Sequence, residues 1–149
     1  MKTLVVYDSV YGNTKAIAQA IGDAIPGEVQ VLHAGQVKAA DWAGVDLLVA
    51  GAPTQGGRPT EAVQAWLDQA PANAFAGTHV AAFDTRLTAR WVRIFGYAAP
   101  RIADRLREKG GTPVGSPGGF FVKGRTGPLK EGELERAARW AKELAGDLT

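Results

Sequence analysis

The chain contains no cysteine. Disulfides, thiol nucleophiles and cysteine-ligated metal clusters are therefore excluded together. His33 and His79 are the only histidines, too few for a histidine-rich metal centre. No apolar run is long enough to cross a bilayer. The opening Met1-Lys2-Thr3 passes straight into a strand-like segment without a leader pattern, so the default location is cytoplasmic. What remains is a chain of 149 residues with ordinary proportions of apolar and charged side chains, enough for one domain with a sizeable core.

Two phosphate-binding signatures are also missing. There is no Gly-x-x-x-x-Gly-Lys-Ser/Thr, and no Gly-x-Gly-x-x-Gly after the first strand. A nucleotidase P-loop and a dinucleotide fingerprint are both set aside. No nucleic-acid-binding module is recognisable, so no nucleic-acid partner is expected.

The order of elements is legible. Lys2–Tyr7 is a β-branched, apolar run and reads as a buried strand. In Thr14–Ile25 apolar residues recur at helical spacing (Ala16, Ile17, Ala20, Ile21, Ala24), and Pro26-Gly27 ends the run. Strands follow at Val29–Leu32, which reads as nearer an edge, and at Val45–Gly51. Val37–Trp42 is a weakly patterned connection. Pro59 and Thr60 open a helix through Gln69. Thr78–Phe83 is the fourth strand. A helix is expected from Pro100 to Lys109, a fifth strand within Pro113–Val122, and a last helix over Leu129–Leu144. Alternating strands and helices predict an α/β fold, a three-layer doubly wound sheet of five parallel strands.

In such a sheet, ligands bind beyond the carboxyl ends of the strands. Three loops fall there. Ser9-Val10-Tyr11-Gly12-Asn13-Thr14 joins the first strand to the first helix. Its hydroxyls, its glycine and the helix N-terminus suit a phosphate. The loop carries no positive charge; Lys15 stands just past it. Pro53-Thr54-Gln55-Gly56-Gly57, after the third strand, lets backbone approach a flat ligand. Asp84-Thr85-Arg86 follows the fourth strand.

The first loop resembles the phosphate loop of the flavodoxin family, (Ser/Thr)-x-Thr-Gly-x-Thr, with matches at Ser9, Gly12 and Thr14. Asp8–Thr14 is similar to the flavin domain of flavodiiron proteins. The likeness continues through Phe83–Leu87, Ile102–Leu106, Pro117–Val122, Gly127–Leu129 and Glu131–Ala137. It implies the strand order 2-1-3-4-5, the flavodoxin order, with FMN as cofactor. Ser9 to Thr14 would hold the phosphate. Pro53 to Gly57 would lie against the ring, with a peptide of the Gly56-Gly57 pair near N5. Asp84 would accept from a ring N–H, and Thr85 and Arg86 would meet the pyrimidine end. A response regulator shares this strand order but would need a phosphorylatable Asp where this chain has Gly51-Ala52-Pro53.

The chain also departs from the pattern. Tyr11 replaces a Thr, and neither ring-side loop supplies an aromatic. Family electron carriers are acidic, whereas residues 1–85 carry a balance of −4 and residues 86–149 a balance of +6. Arg86–Lys109 alone carries +5. Within it, Leu87–Ala99 mixes basic and apolar side chains. Three readings stand open: a lid whose Trp91 or Tyr97 stacks on the ring, a docking surface, or core packing by Trp91, Ile94 and Phe95. The expected function is electron transfer by FMN with a redox partner protein or a small-molecule electron acceptor. The alternatives are a small FMN-dependent oxidoreductase of quinone or protoporphyrinogen type, and an interaction module that has lost flavin.

Overall fold

A computed structural model of the chain describes residues 1–88 and 96–148. Five strands are built first: β1 (Lys2–Tyr7), β2 (Glu28–His33), β3 (Leu47–Pro53), β4 (His79–Arg86) and the short β5 (Thr112–Pro113). A sixth segment, β6 (Gly118–Phe121), continues the position of β5. All pairings are parallel, in the order β2-β1-β3-β4-β5, with β6 also paired to β4. The 2-1-3-4-5 order is the expected one.

The fifth strand is broken where the sequence suggested one run. Gly115 takes φ 64° and Pro117 removes a ladder donor between the two pieces. The Gly118–Phe121 piece carries the register beside the site, with Asp84 opposite Gly119 and Thr85 opposite Phe120.

The helices are α1 (Asn13–Ala24), the single turn α2 (Ala39–Trp42), α3 (Glu61–Gln69), α4 (Ala98–Glu108) and α5 (Glu133–Gly146). A 3-10 turn at Ala34–Gln36 precedes α2. Helix α4 begins two residues before Pro100. A proline in a first helical turn gives up an N–H that has no intrahelical partner anyway, so the helix absorbs it.

Strand alternation divides the core between the two faces of the sheet. Leu4, Val6, Leu48, Ala50, Val80 and Ala82 meet Val63, Trp66 and Leu67 of α3 and Ile102 and Leu106 of α4. Val5, Leu47, Val49, Ala81 and Phe83 meet Ile17 and Ile21 of α1 and Ala137, Ala141 and Leu144 of α5. Fully burying one such aliphatic side chain contributes about 1.5–3 kcal/mol, so both faces hold the sheet rigidly. Every parallel crossover starts from a carboxyl-end loop, and that rigid edge fixes where the three loops meet. Among the described residues, no helix is long and apolar enough to cross a membrane.

Candidate functional site

Helices α1 and α4 both start at the carboxyl edge of the sheet, and their first turns are treated differently. At α4, the Ala98 N–H donates to Thr54 Oγ1 at 3.0 Å, and the Ala99 N–H donates to Asp84 Oδ2 at 2.9 Å. Residues from two other loops thus occupy that N-terminus, one of them a carboxylate suited to the helix dipole. At α1, Gly12 is the N-cap in the left-handed region (φ 91°), and no side chain caps the helix. Its first turn holds no acidic residue. The Ser9 hydroxyl instead accepts from the Gly12 N–H at 3.1 Å and shapes the loop. The first N–H groups of α1 are left to an outside acceptor.

The start of this loop is stiffened from β2. His33 Nδ1 accepts from the Gly35 N–H at 3.0 Å, so the proton of the neutral ring sits on Nε2. That nitrogen donates to Asp8 Oδ1 at 2.8 Å, and the Ser9 N–H donates to the same oxygen. Burial alone would push the Asp8 carboxyl up. The Thr60 hydroxyl, the His33 ring and the Ser9 N–H outweigh it and hold the carboxyl below its ordinary value. Thr60 Oγ1 is buried and makes no formed hydrogen bond, so it acts on Asp8 as a nearby dipole.

A cleft of about 560 Å³ opens between the loops. Ten of the fourteen sequence-predicted residues line it: Val10, Tyr11, Asn13, Thr14, Pro53, Thr54, Gln55, Gly56, Thr85 and Arg86. The three loops do converge. Thr14 Oγ1 and Thr85 Oγ1 share a buried hydrogen bond of 2.8 Å, and the Thr54 N–H donates to the Thr85 carbonyl at 2.9 Å. Gln55 and Arg58 exchange two backbone hydrogen bonds across Gly56 (φ 56°) and Gly57 (φ 81°). Both central residues need positive φ, as the tight primed hairpin turn requires, which explains the glycine pair.

Ser9, Gly12, Gly57 and Asp84 do not line the cleft. For the first three the role is local: Ser9 accepts from the Gly12 N–H, and Gly12 and Gly57 supply the positive-φ positions of their turns. Asp84 needs a correction. It is fully buried, and its carboxylate is taken by Arg86 Nε (2.7 Å), Arg86 Nη2 (2.8 Å) and the Ala99 N–H. It is not placed to accept from a ligand in the cleft; it holds Arg86 and the start of α4.

Arg86 is correspondingly fixed. Its guanidinium lies 3.6 Å from the centre of the Tyr97 ring, and a Cβ at Gly119 would collide with it. Tyr97 therefore packs on Arg86 and does not line the cleft. Trp91 and Phe95, the other aromatics of the lid and packing readings, lie outside the described residues.

Leu87, at the carboxyl end of the fourth strand, also lines the cleft, as do Val122 and Arg125, which the sequence reading missed. Arg125 comes from the far end of the chain. Val122 bridges Leu129, the Lys123 N–H donates to the Pro128 carbonyl (2.8 Å), and the Gly127 N–H donates to the Gly124 carbonyl (3.0 Å). Arg125 stands at the tip of that turn. Only the tertiary fold brings it beside the first loop; no spacing in the sequence signals it.

The cleft also leaves apolar surface uncovered. Val10 is 51 % and Tyr11 52 % exposed, two of the few large apolar side chains so placed. Exposed apolar groups at a concave site suit a ligand with an apolar body. The cavity volume falls within the roughly 300–1,000 Å³ usual for cofactor sites. An open helix N-terminus at one end, apolar walls and a backbone hairpin at the other fit a flavin mononucleotide.

The flavodoxin domain model matches residues 4–115. Among solved structures, the chain is similar to a flavodoxin from the domain Archaea, with 26 % identity over 99 % of both chains and a TM-score of 0.81. It is similar to oxidised flavodoxin 2 from Bacillus cereus, with 25 % identity over 99 % of both and a TM-score of 0.81. The rubredoxin oxygen:oxidoreductase of Desulfovibrio gigas shares the fold at 16 % identity and a TM-score of 0.75. There, 99 % of this chain covers 36 % of that one. No curated protein matches the chain.

Proposed function

The chain belongs to the flavodoxin domain family, and from that premise we propose that it is an FMN-binding electron carrier. FMN is the cofactor the family implies. The observation that carries the reading is the contrast between the two helix N-termini at one edge of the sheet. That of α4 is filled by Thr54 and Asp84, whereas that of α1 is uncapped and opens on a cleft of cofactor size. A phosphate there would meet backbone N–H groups and a favourable dipole, with no acidic residue in the first turn of the helix.

FMN, when bound, supplies the electron chemistry, taking up and releasing electrons at its ring. The chain's own residues bind and orient it. Ser9 and Gly12 shape the phosphate loop. Asn13 and Thr14 line the phosphate end, and Thr85 supports Thr14 from beneath. Pro53, Thr54, Gln55 and Gly56 wall the ring side, with Gly57 closing their turn. Val10 and Tyr11 cover the ligand's apolar body and exclude water. Arg86 reaches the cleft already paired with Asp84, so its charge is largely offset and tunes the ring weakly.

A second groove, about 390 Å³ in volume, is lined in part by Arg58, at the end of the Gln55–Arg58 turn, and by Arg101, Arg105 and Asp104. Arg105 is paired with Asp68. The groove's arginine-rich lining supports an anionic redox partner or acceptor approaching beside the cofactor.

The test is a visible absorption spectrum of the purified protein before and after FMN is added. Flavin bands that stay with the protein through desalting are expected. If no flavin is retained and added FMN shows no spectral shift, the proposal fails.

A further inference from the structure

We propose that Arg125 is the phosphate counter-charge of this site and makes the cleft prefer flavin carrying a 5′-phosphate over flavin without one. The inference rests on the FMN reading above and goes beyond it by assigning the ligand's charge a specific partner. The phosphate loop, Ser9 to Thr14, contains no cation. A phosphate there carries close to two negative charges at neutral pH. Among the described residues the cleft supplies two guanidinium groups, Arg86 and Arg125. Arg86 is spent on Asp84 and rests on Tyr97. Arg125 is exposed and, among the described residues, has no hydrogen-bond or ion-pair partner.

The position of Arg125 is set from the phosphate end. Asn13, the first residue of α1, donates through Nδ2 to the Thr126 carbonyl at 3.2 Å. Gly127, at φ 103°, lies so close to Asn13 that a Cβ would stand 2.6 Å from its amide oxygen. The turn that carries Arg125 is thus clipped directly onto the phosphate loop. Both line the same cleft with Val10, Tyr11 and Thr14. A guanidinium offers a planar, permanently charged donor fork that matches phosphate oxygens. Lys15, the nearest cation in sequence, does not line the cleft.

The experiment titrates flavin-stripped protein with FMN and, separately, with riboflavin, following flavin fluorescence at two salt concentrations. Wild type, Arg125→Ala, Arg125→Lys and Lys15→Ala are compared, with thermal unfolding as the control for folding. Arg125→Ala is expected to weaken FMN binding roughly tenfold to a hundredfold, the range for a charge-assisted hydrogen bond, and to leave riboflavin within about twofold. Arg125→Lys should fall between, and Lys15→Ala should match wild type. Salt should weaken FMN binding less in Arg125→Ala than in wild type. Unchanged FMN affinity in Arg125→Ala overturns the proposal. Equal losses for FMN and riboflavin also overturn it, because Arg125 would then serve the ring or the loop. If wild type binds riboflavin and FMN equally well, the flavin reading survives and the phosphate assignment falls. If wild type binds neither, the parent reading fails and this one with it.

Discussion

Asp84→Asn separates a structural carboxylate from a ligand-binding one. The substitution keeps the shape and removes the charge. Asp84 is fully buried, and Arg86 is 15 % exposed. Three donors converge on the carboxylate: two from Arg86 and one from Ala99. An amide has one oxygen to offer them and presents its own N–H groups to the rest. Breaking a buried ion pair from one side typically costs about 3–5 kcal/mol. The lower end applies here, since Arg86 keeps some solvent contact and the face of Tyr97. At about 2–4 °C per kcal/mol for a chain of this size, the melting temperature should fall by about 6–12 °C. The measurement is thermal or urea unfolding without flavin, because a ligand that binds only the folded state would mask the loss. Asp84→Leu combined with Arg86→Met should recover the share lost with the ion pair and fall short of wild type by the Ala99 N–H left without its acceptor, a coupling that single substitutions cannot show. A melting temperature within about 2 °C of wild type would refute the reasoning, as such a shift corresponds to less than 1 kcal/mol. So would an Asp84→Asn protein of normal stability that no longer holds FMN.

Thr85→Val leaves the buried Thr14 hydroxyl without its 2.8 Å partner and should cost about 1–3 kcal/mol in urea unfolding, with much of it restored in Thr14→Val/Thr85→Val. Glu133 gives a pH-dependent case. Burial would raise its carboxyl, but Arg136 and the Phe121 N–H outweigh that and hold it below the ordinary range. A depressed folded value means that its contribution is complete above the unfolded value of about 4.3 and is lost as pH falls through the folded one. Glu133→Gln should therefore destabilise the protein at pH 7 by about 1–2 kcal/mol, kept modest because Arg136 is partly exposed, and the gap to wild type should close on acidification. A gap that is independent of pH between 7 and 3 would remove the charge from the explanation.

The parts of the site written by local rules were legible in the sequence. Hydrophobic period placed the strands, and the loops after three of them had to meet because parallel strands end on one edge. Gly56-Gly57 announced a turn that only positive φ can make. Gly12 announced the entry to α1. Boundaries slipped where a local rule met a tolerant context, as with Pro100 inside the first turn of α4, or where Gly115 and Pro117 split the last strand.

What sequence could not supply was the allocation of polar groups among partners. Asp84, Thr54 and Thr85 all stand at strand ends and all have the chemistry to touch a ligand. In the fold, Asp84 and Thr54 satisfy the start of α4, and Thr85 satisfies Thr14. The same allocation decides the charges. Arg86 is adjacent in sequence to the predicted site and is neutralised there by its neighbour two residues back. Arg125 lies more than a hundred residues from the phosphate loop, has no partner among the described residues, and is delivered by a turn bonded to Asn13. Proximity along the chain pointed to the arginine whose charge is already offset. Among the described residues, the unpaired positive charge at the cleft comes from the residue that only the closed sheet brings into reach, so the preference proposed for a phosphorylated ligand would be a property of the tertiary structure rather than of the loop motif.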